Sequence, residues 1–465
     1  RYKIANAPTS QTRTPKPLHE VRTIDPACGS GNFLLYAFDF YYELYLDQIE
    51  NYGADYEERD IPKLIIENNL HGIDLDDRAV QLAQLGLFIK AKKKRRTVGE
   101  LNFRVVSSDF YLPEFDEVQH IFKQGNHVSK EQHEFIEKVW GDLRYAYKFG
   151  SLIHLDKELK EKLSQVREVA LGEKVDFSEK MKKKPVAGDL FAAADYAEHQ
   201  AFAENFFENL FAAVEQYART GTNTFLTSKT RDAITFLEIL TTEYDVATAN
   251  PPYTDSSDFG PDLKRFIDSN YKKPHKFNSN LYASFIKRCY ELCASDGYIG
   301  IIHTNTLMFI SSFDSVREFI LKNTHIEIMV EHGLDRVNLF GPGVLLDAMF
   351  YVLKKGNCNK NSLFLDMSHG QQEKYKKEKL LSSLADLVQF KSNERIYRID
   401  QSLFNKIEVE LSCAIIITGF STLLKRVLTK GDNNKKAKML TNKNLEIIIT
   451  LTNQGAVSAN FSSLR

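Results

Sequence analysis

Asn250-Pro251-Pro252-Tyr253 stands directly after the apolar run Tyr244 to Ala249. Consecutive prolines continue neither a strand nor a helix, so they fix a rigid extended turn at the end of that run. Such a turn can aim the side-chain amide oxygen of Asn250 and the carbonyl oxygen of Pro251 at one point. Two acceptors there can grip an exocyclic amine that donates two hydrogens, and Tyr253 offers a flat face for a planar base. By itself the tetrapeptide also reads as a plain turn with a packed tyrosine.

A second constellation lies upstream. A short strand, Val21 to Ile24, runs into Asp25-Pro26-Ala27-Cys28-Gly29-Ser30-Gly31, and a helical period then places Phe33, Tyr36, Ala37, Phe40 and Leu44 on one face. Gly29 and Gly31 let backbone amides approach a ligand, and a helix N-terminus favours negative charge. Glycine also serves tight strand–helix turns for purely structural reasons. The dinucleotide fingerprint GxGxxG is not met, because position 34 is leucine, which weakens the case for a nicotinamide or flavin enzyme. Asp74 ends a second apolar segment, Leu64 to Ile73, where it can accept hydrogen bonds from both hydroxyls of a ribose or cap the following helix. Asp109 follows the strand Phe103 to Val106, where it can take an adenine amine or simply close a turn. Three strand-end acids in order favour the joint ligand reading.

The elements that must position these groups alternate strand and helix with acids at the strand ends, so the expected class is α/β, a doubly wound sheet. The helix after Asp74 carries Ala79, Leu82, Ala83, Gly86 and Ile89 on one side. The alternation stops over residues 111–243, a charged stretch read as a mostly helical insertion with Phe202, Phe206, Leu210, Val214 and Tyr217 along one face. It resumes over 244–355, with a helix bearing Leu281, Phe285, Cys289 and Leu292, the strand Tyr298 to Ile302, and a closing strand pair, Ile326 to Val330 and Leu346 to Leu353. Residues 1–20 read as an extended lead-in, 21–110 as the ligand-binding half, and 356–465 stay unassigned.

The chain has 465 residues, enough for about three domain-sized units. With 43% hydrophobic and 12% aromatic residues, wholesale disorder is excluded. Its 61 basic and 62 acidic side chains leave a net charge of −1, which excludes a histone-like binder. The 5 cysteines form neither a disulfide framework nor a zinc constellation, so no metal is expected and the compartment expected is reducing and cytoplasmic. Aliphatic runs such as Ala414 to Ile417 are too short for a bilayer, so no membrane partner is expected.

With both constellations in view, the sequence resembles the S-adenosylmethionine-dependent adenine-specific DNA methyltransferases with an Asn-Pro-Pro-Tyr motif, over Asp25 to about Lys355. Within that family it is most similar to the PglX-type methyltransferases of BREX phage-exclusion systems. The block Asp25 to Asp39, Gly72-Ile73-Asp74-Leu75-Asp76, Gly150-Ser151-Leu152 and Asn280 to Ile286 carry the closer likeness. The resemblance implies a class I methyltransferase domain, Rossmann-like, with a mostly parallel seven-stranded sheet. It implies S-adenosylmethionine as cofactor, bound by Asp25, Ala27, Cys28, Gly29, Gly31 and Phe33, with Asp25 and the Gly29–Gly31 turn on its methionine part, Asp74 on the ribose, Asp109 on the adenine amine and Phe110 against that ring. It further implies that Asn250, Pro251 and Pro252 form the catalytic turn, that Tyr253 stacks on a flipped adenine of double-stranded DNA, and that Phe340 covers the other face. Other BREX defence proteins are implied as partners.

Lys264, Arg265, Lys272, Lys273 and Lys276 follow the turn closely and are expected on DNA phosphates. The runs Lys90 to Arg96 and Lys182 to Lys184 read as solvated surface, and His275 and His303 as ordinary polar or core histidines. The upstream Tyr-Thr-Pro motif of the family has no match in residues 1–20. That, an arginine at position 1 and an unmatched C-terminal stretch lead us to expect a piece of a longer protein. Alternatives stay open: the methylating part of a combined restriction–modification enzyme, a methyltransferase acting on a protein glutamine amide, or a non-catalytic DNA-binding or assembly subunit that keeps the fold.

Overall fold

The structure, a computed structural model, describes residues 16–110, 143–153 and scattered positions from 114 to 141. It then describes 224–334, 347–356, 361–367, part of 378–383, 396–401, 436–440, 445–451 and 457–463. Phe340, Lys182 to Lys184 and the expected helix face Phe202 to Tyr217 lie outside the described residues. The chain divides into two compact units, Lys16–Tyr244 and one built on Asp245–Arg465.

In the first unit β1 (Thr23–Asp25), β2 (Leu70–Asp74) and β3 (Arg104–Ser107) pair in parallel in the order β3-β2-β1, with Ile24 opposite His71 and Gly72 opposite Val105. Parallel neighbours need crossover connections, and helices supply them: α1 (Asn32–Tyr52) between β1 and β2, and α2 (Asp77–Lys94) between β2 and β3. All three strands therefore deliver their C-terminal ends, Asp25, Asp74 and the segment before Asp109, to the same edge. This is where open α/β sheets bind ligands.

Both helices stand where the sequence places them; α1 turns another face inward, while α2 keeps Ala83 and Gly86 of the expected face against α1 but not Leu82 and Ile89. On α1 the buried residues are Leu34, Phe38, Tyr41, Tyr42 and Tyr45, while Phe33, Tyr36 and Phe40 are exposed. On α2 they are Val80, Ala83, Leu87 and Ala91, and Leu82 and Ile89 are exposed. Each helix carries apolar residues at helical spacing on more than one stripe, so periodicity alone does not choose the face. The close approach of the two helices chooses it: Ala83 lies under Gly31, and Leu35 lies under Gly86.

The lead-in is not wholly extended, because Leu18–Glu20 forms a 3-10 turn. Asn69 holds it by donating to the carbonyls of Leu18 and Val21, both at 2.8 Å, and accepts from the hydroxyl of Tyr45 at 3.0 Å. The helix α3 (Thr224–Thr241), inside the stretch read as an insertion, packs on β2 and β3, where Arg104 pairs with Glu238 and Phe236 meets Phe110 edge-on. At the end of α2 the basic run is occupied structurally. Lys90 pairs with Asp39, Lys94 sits 4.0 Å from the ring centre of Tyr42, and Arg95 donates to the carbonyl of Arg59 at 2.8 Å.

In the second unit the strand order is β4-β5-β7-β6-β8-β9. The strands are β4 (Tyr244–Ala249), β5 (Cys293–Thr304), β6 (Thr324–Leu334), β7 (Asp347–Lys355), β8 (Asn361–Asp366) and β9 (Ile396–Asp400). β7 runs antiparallel to both β5 and β6, β8 is parallel to β6, and β9 is antiparallel to β8. The α/β class stands, and β8 and β9 extend it past the expected seven strands. Gln401 fixes this edge by donating to the carbonyls of Leu321 and Thr324 and accepting from the amide of Ile326. The helices are α4 (Pro261–Tyr271), α5 (Leu281–Leu292) and α6 (Asp314–Asn323), and α5 buries Phe285, Cys289 and Leu292 as its spacing requires. β10 (Lys436–Leu440), β11 (Leu445–Leu451) and β12 (Val457–Ser463) form a separate antiparallel meander. Among the described residues no helix is long and apolar enough to cross a membrane, and no group of three or more His, Cys, Asp or Glu side chains is placed to hold a metal ion.

Candidate active site

The glycine loop is the junction of β1 and α1. Gly29 and Gly31 have φ of 51° and 82°, in the left-handed region that glycine enters without cost. Gly31 has a second reason to be glycine, since a Cβ there would lie 2.7 Å from the Cβ of Ala83. The loop is tied to β2 by backbone and side chain together. The amide of Cys28 donates to the carbonyl of Ile73 at 3.0 Å, and the amide of Gly29 donates to Asp74 Oδ2 at 2.8 Å. Asp74 Oδ1 accepts from the amide of Asp76 at 3.0 Å, while Asp76 itself caps α2. The N-cap role open to Asp74 therefore falls to Asp76, two residues on.

Asp25 is only 1% exposed, and its Oδ1 accepts from the amide of Ala27 at 3.1 Å. Burial pushes its pKa up to about 7; the Ala27 amide opposes that rise and the nearby charge of Asp74 adds to it. Burial, with Asp25 and Asp74 behind it, also raises the Cys28 thiol, so Cys28 is a packed neutral group facing Gly72 rather than a nucleophile. Asp109 is exposed and its amide donates to Ser107 Oγ at 2.9 Å, whereas Phe110 is buried with its ring against Phe236. Phe33 is 39% exposed.

In the second unit β4 delivers Asn250 to the surface, with Pro251 buried, Pro252 exposed and Tyr253 half-buried. The Tyr253 hydroxyl donates to Asn250 Oδ1 at 2.6 Å and reaches the carbonyl of Ile302 at 3.4 Å. Burial pushes the Tyr253 pKa up to about 12, so it stays a donor at neutral pH. Behind it Tyr282 meets Tyr253 edge-on at 6.4 Å and stacks flat on His303 at 4.6 Å. His303 is fully buried, its pKa lowered to about 4 by burial, with Nδ1 2.6 Å from the Thr304 carbonyl and Nε2 3.0 Å from the Tyr351 hydroxyl. A neutral ring donating from Nδ1 and accepting at Nε2 satisfies both contacts, so His303 is a packing residue. His275 packs against Phe277 and Phe319. Lys264, Arg265, Lys272, Lys273 and Lys276 are all exposed.

Two positioning residues escape a search for chemistry. Asn280 caps α5 by accepting from the amide of Tyr282, and its Nδ2 reaches the carbonyl of Tyr253 at 3.4 Å, while the amide of Leu281 donates to the Thr254 carbonyl. The turn is thereby anchored to a helix N-terminus, and the signal was an asparagine standing immediately before a helical period. Ser151, quoted above only for the likeness of Gly150-Ser151-Leu152 and given no role there, donates to the carbonyl of Pro26.

A parallel β-loop-α unit with a glycine turn and strand-end acids, together with an Asn-Pro-Pro-Tyr turn after β4, defines a methyltransferase-type α/β protein. The chain belongs to the Eco57I restriction-modification methylase family, whose model matches residues 68–338. It is 25% identical over 386 residues to the adenine-specific methyltransferase BrxX of Escherichia coli O9:H4 (strain HS), covering 78% of this chain and 28% of that protein. It is 26% identical over 402 residues to the adenine-specific methyltransferase PglX of Lacticaseibacillus casei (strain Zhang), covering 84% of this chain and 28% of the relative. The chain thus spans little more than a quarter of the length of these curated relatives. Among solved structures, a nuclease-deletion mutant of the Type ISP restriction-modification enzyme LlaGI in complex with a DNA substrate mimic is similar at a TM-score of 0.43. Its identity is 12%, with 78% of this chain and 23% of that one covered.

Proposed function

We propose that this chain transfers a methyl group from S-adenosylmethionine to the exocyclic N6 amine of adenine in DNA, as the modification activity of a BREX-type phage-defence system. The observation that carries the reading is the Asn250–Tyr253 turn: an exposed amide oxygen already engaged by a hydroxyl donor at 2.6 Å, beside an aromatic ring. An acceptor that binds an O–H there is suited to an N–H of an amine.

The glycine-loop residues fit this cofactor on their own terms. Asp25 is a buried acid with the charge of Asp74 beside it, so the loop sets two carboxyl groups where an amino group and hydroxyls of a ligand can donate to them. Asp25 with the Gly29–Gly31 turn would hold the methionine part. Asp74 would hold the ribose with the lone pairs that Gly29 and Asp76 leave, since a carboxylate offers about four acceptor sites. Asp109, exposed at the end of β3, would take the adenine amine. When bound, S-adenosylmethionine supplies an electrophilic methyl on a sulfonium.

The chain's own residues then act on the nucleophile. Adenine's exocyclic nitrogen is a poor one because its lone pair is delocalised into the ring. Asn250 Oδ1 and the Pro251 carbonyl, accepting its two hydrogens, favour a pyramidal nitrogen with a localised lone pair, and once that nitrogen carries the methyl one of the two hydrogens leaves as a proton to water. Positioned acceptors supply this stabilisation without reorganising. Tyr253 would exchange its hydroxyl contact for a stacked base. The amine is inaccessible in a stacked duplex, so the base is taken out of the helix. Exposed Lys264, Arg265, Lys272, Lys273 and Lys276 are suited to the phosphates on either side.

The test is incorporation of labelled methyl from the cofactor into DNA, followed by nucleoside analysis. Label in N6-methyladenine, lost in Asn250→Ala, is the expected result. Label in protein would transfer the reading to a glutamine amide, and label unaffected by Asn250→Ala would overturn the assigned role.

A further inference from the structure

Residues 150–153, within the stretch read as an insertion, come back to the glycine loop. The Ser151 hydroxyl donates to the carbonyl of Pro26 at 2.5 Å, across 125 residues of sequence, and Ser151 is 2% exposed. Its neighbours are equally enclosed, with Leu152 at 3% and Ile153 at 4%. Gly150 has φ of 56°, and a Cβ on it would lie 3.3 Å from Leu75 and 3.6 Å from Ser108 Oγ. The turn Gly150–Leu152 therefore bonds to Pro26 after β1 and stands beside Leu75 after β2 and Ser108 after β3, with no room for more than a small side chain between. Those segments carry Asp25, Asp74 and Asp109. The three strand ends are linked in series as well, since the amide of Cys28 donates to the carbonyl of Ile73 at 3.0 Å and the amide of Ser108 to the carbonyl of Asp74 at 2.9 Å.

We propose that Gly150–Leu152 is a clasp that sets the cofactor pocket, with Ser151 as the positioning residue that fixes the Pro26–Ala27 peptide beside Asp25. This rests on the cofactor reading above. The Pro26 carbonyl is shielded, so its partner is not replaced by water at low cost, and a buried carbonyl without a partner disturbs its own peptide. The next amide along, that of Ala27, is the one that donates to Asp25 Oδ1. Loss of the Ser151 hydroxyl is thereby passed to Asp25 and to the amide of Gly29. Gly150 must be glycine for the clasp to close, on account of its left-handed backbone and its approach to Leu75.

The experiment pairs two measurements on Ser151→Ala, Ser151→Thr and, as a control, Thr324→Val. The control removes a buried hydroxyl–carbonyl bond, Thr324 Oγ1 to the Ile320 carbonyl at 2.6 Å, in the other unit. Hydrogen–deuterium exchange without ligand reads the loop directly: peptides covering 25–31 exchange faster in Ser151→Ala and as in wild type in Thr324→Val. Calorimetric titration with S-adenosylhomocysteine reads the pocket: Ser151→Ala weakens binding by about tenfold, the scale of one hydrogen bond. Ser151→Thr, which keeps the hydroxyl, restores it, and Thr324→Val leaves it unchanged. Unchanged exchange in Ser151→Ala overturns the clasp, and so does an equal drop in affinity in both alanine and threonine variants. A wild-type chain that binds no S-adenosylhomocysteine while Ser151→Ala still accelerates exchange at 25–31 overturns the cofactor reading and leaves the clasp standing as a loop-ordering device.

Discussion

The backbone amide of Gly29 donates to Asp74 Oδ2 at 2.8 Å, so the acid that closes β2 holds the loop that follows β1. Asp74 is thus a brace of the ligand loop as well as a candidate ribose partner. Removing it leaves the Gly29 and Asp76 amides without their acceptor. Asp74→Ala is expected to lower the melting temperature and to abolish S-adenosylmethionine binding in calorimetry. Asp74→Asn keeps one oxygen and is expected to retain much of the stability while weakening binding at least ~tenfold, the scale of a charge-assisted hydrogen bond. Equal affinity in Asp74→Asn and wild type would leave Asp74 as a brace only.

Asp25 makes a prediction in pH. Its folded pKa of about 7 lies above the ordinary 3.8, so over that interval the unfolded chain has released a proton that the folded chain still holds. Folding stability from this group therefore falls as pH rises through the window and is constant above it. Asp25→Asn keeps the oxygen that accepts from Ala27 and removes the charge. It is expected to melt higher than wild type at pH 8, with the difference closing towards pH 4, and to bind S-adenosylmethionine more weakly. Thermal melts across that range decide it: a gap independent of pH would refute the raised pKa.

The two loop glycines separate conformation from space. Gly29→Ala meets only a left-handed backbone, with nothing within 4 Å of the new Cβ, while Gly31→Ala also collides with Ala83. Gly29→Ala is expected to cost about 1–2 kcal/mol in denaturant unfolding. Gly31→Ala should cost distinctly more, and the double variant Gly31→Ala with Ala83→Gly should recover part of the difference. No recovery would mean the clash is not what destabilises the loop.

What the sequence made legible were turns and strand ends, because glycine at positive φ, paired prolines and acids at strand termini are local constraints that show in residue type. Asp25, Asp74 and Asp109 arrive at one sheet edge as read. The inward face of α1 was not legible, since Phe33, Tyr36 and Phe40 make as good an apolar stripe as Leu34, Phe38 and Tyr41 until the contact of Gly31 with Ala83 decides, and on α2 only Ala83 and Gly86 of the expected face turned inward. Ser151 stood in the Gly150-Ser151-Leu152 likeness but its role was not legible, because a serine meeting a carbonyl 125 residues away leaves no spacing to read. The basic run Lys90 to Arg96 could be weighed only when Lys90 was found on Asp39 and Lys94 on Tyr42.

Those pairings divide the basic clusters by salt dependence. Lys264, Arg265, Lys272, Lys273 and Lys276 are exposed around α4, just after the Asn250 turn. Neutralising three of them to glutamine is expected to weaken DNA binding and to flatten its salt dependence by about 0.9 in slope for each phosphate left without a cation. Glutamine at Lys90 and Lys94 should instead lower the melting temperature with the slope unchanged. Fluorescence anisotropy at several salt concentrations is the measurement, and a slope moved only by the α2 variants would place the phosphates elsewhere.

The Tyr253 hydroxyl donates to Asn250 Oδ1, the oxygen that the proposed reading gives to the target amine, and so takes up one of its two lone pairs. The ring and the hydroxyl therefore have separable effects. Tyr253→Phe keeps the ring and frees Asn250, and is expected to hold methyl transfer within a few-fold of wild type. Tyr253→Ala removes the stacking face, worth about 1–3 kcal/mol per base, and should weaken productive DNA binding by roughly 5- to 150-fold. Asn250→Ala removes an acceptor aimed at the amine and is expected to lower single-turnover transfer at least ~100-fold, the scale for one preorganised polar group, with cofactor affinity unchanged. Asn280→Ala, which loosens the anchor of the turn to α5, should fall between, with a smaller loss in the single-turnover rate. The order Phe, Asn280→Ala, Asn250→Ala in labelled-methyl transfer is the outcome that supports an Asn250-centred site. A Tyr253→Phe variant as inactive as Asn250→Ala would instead give the hydroxyl a direct part in the reaction.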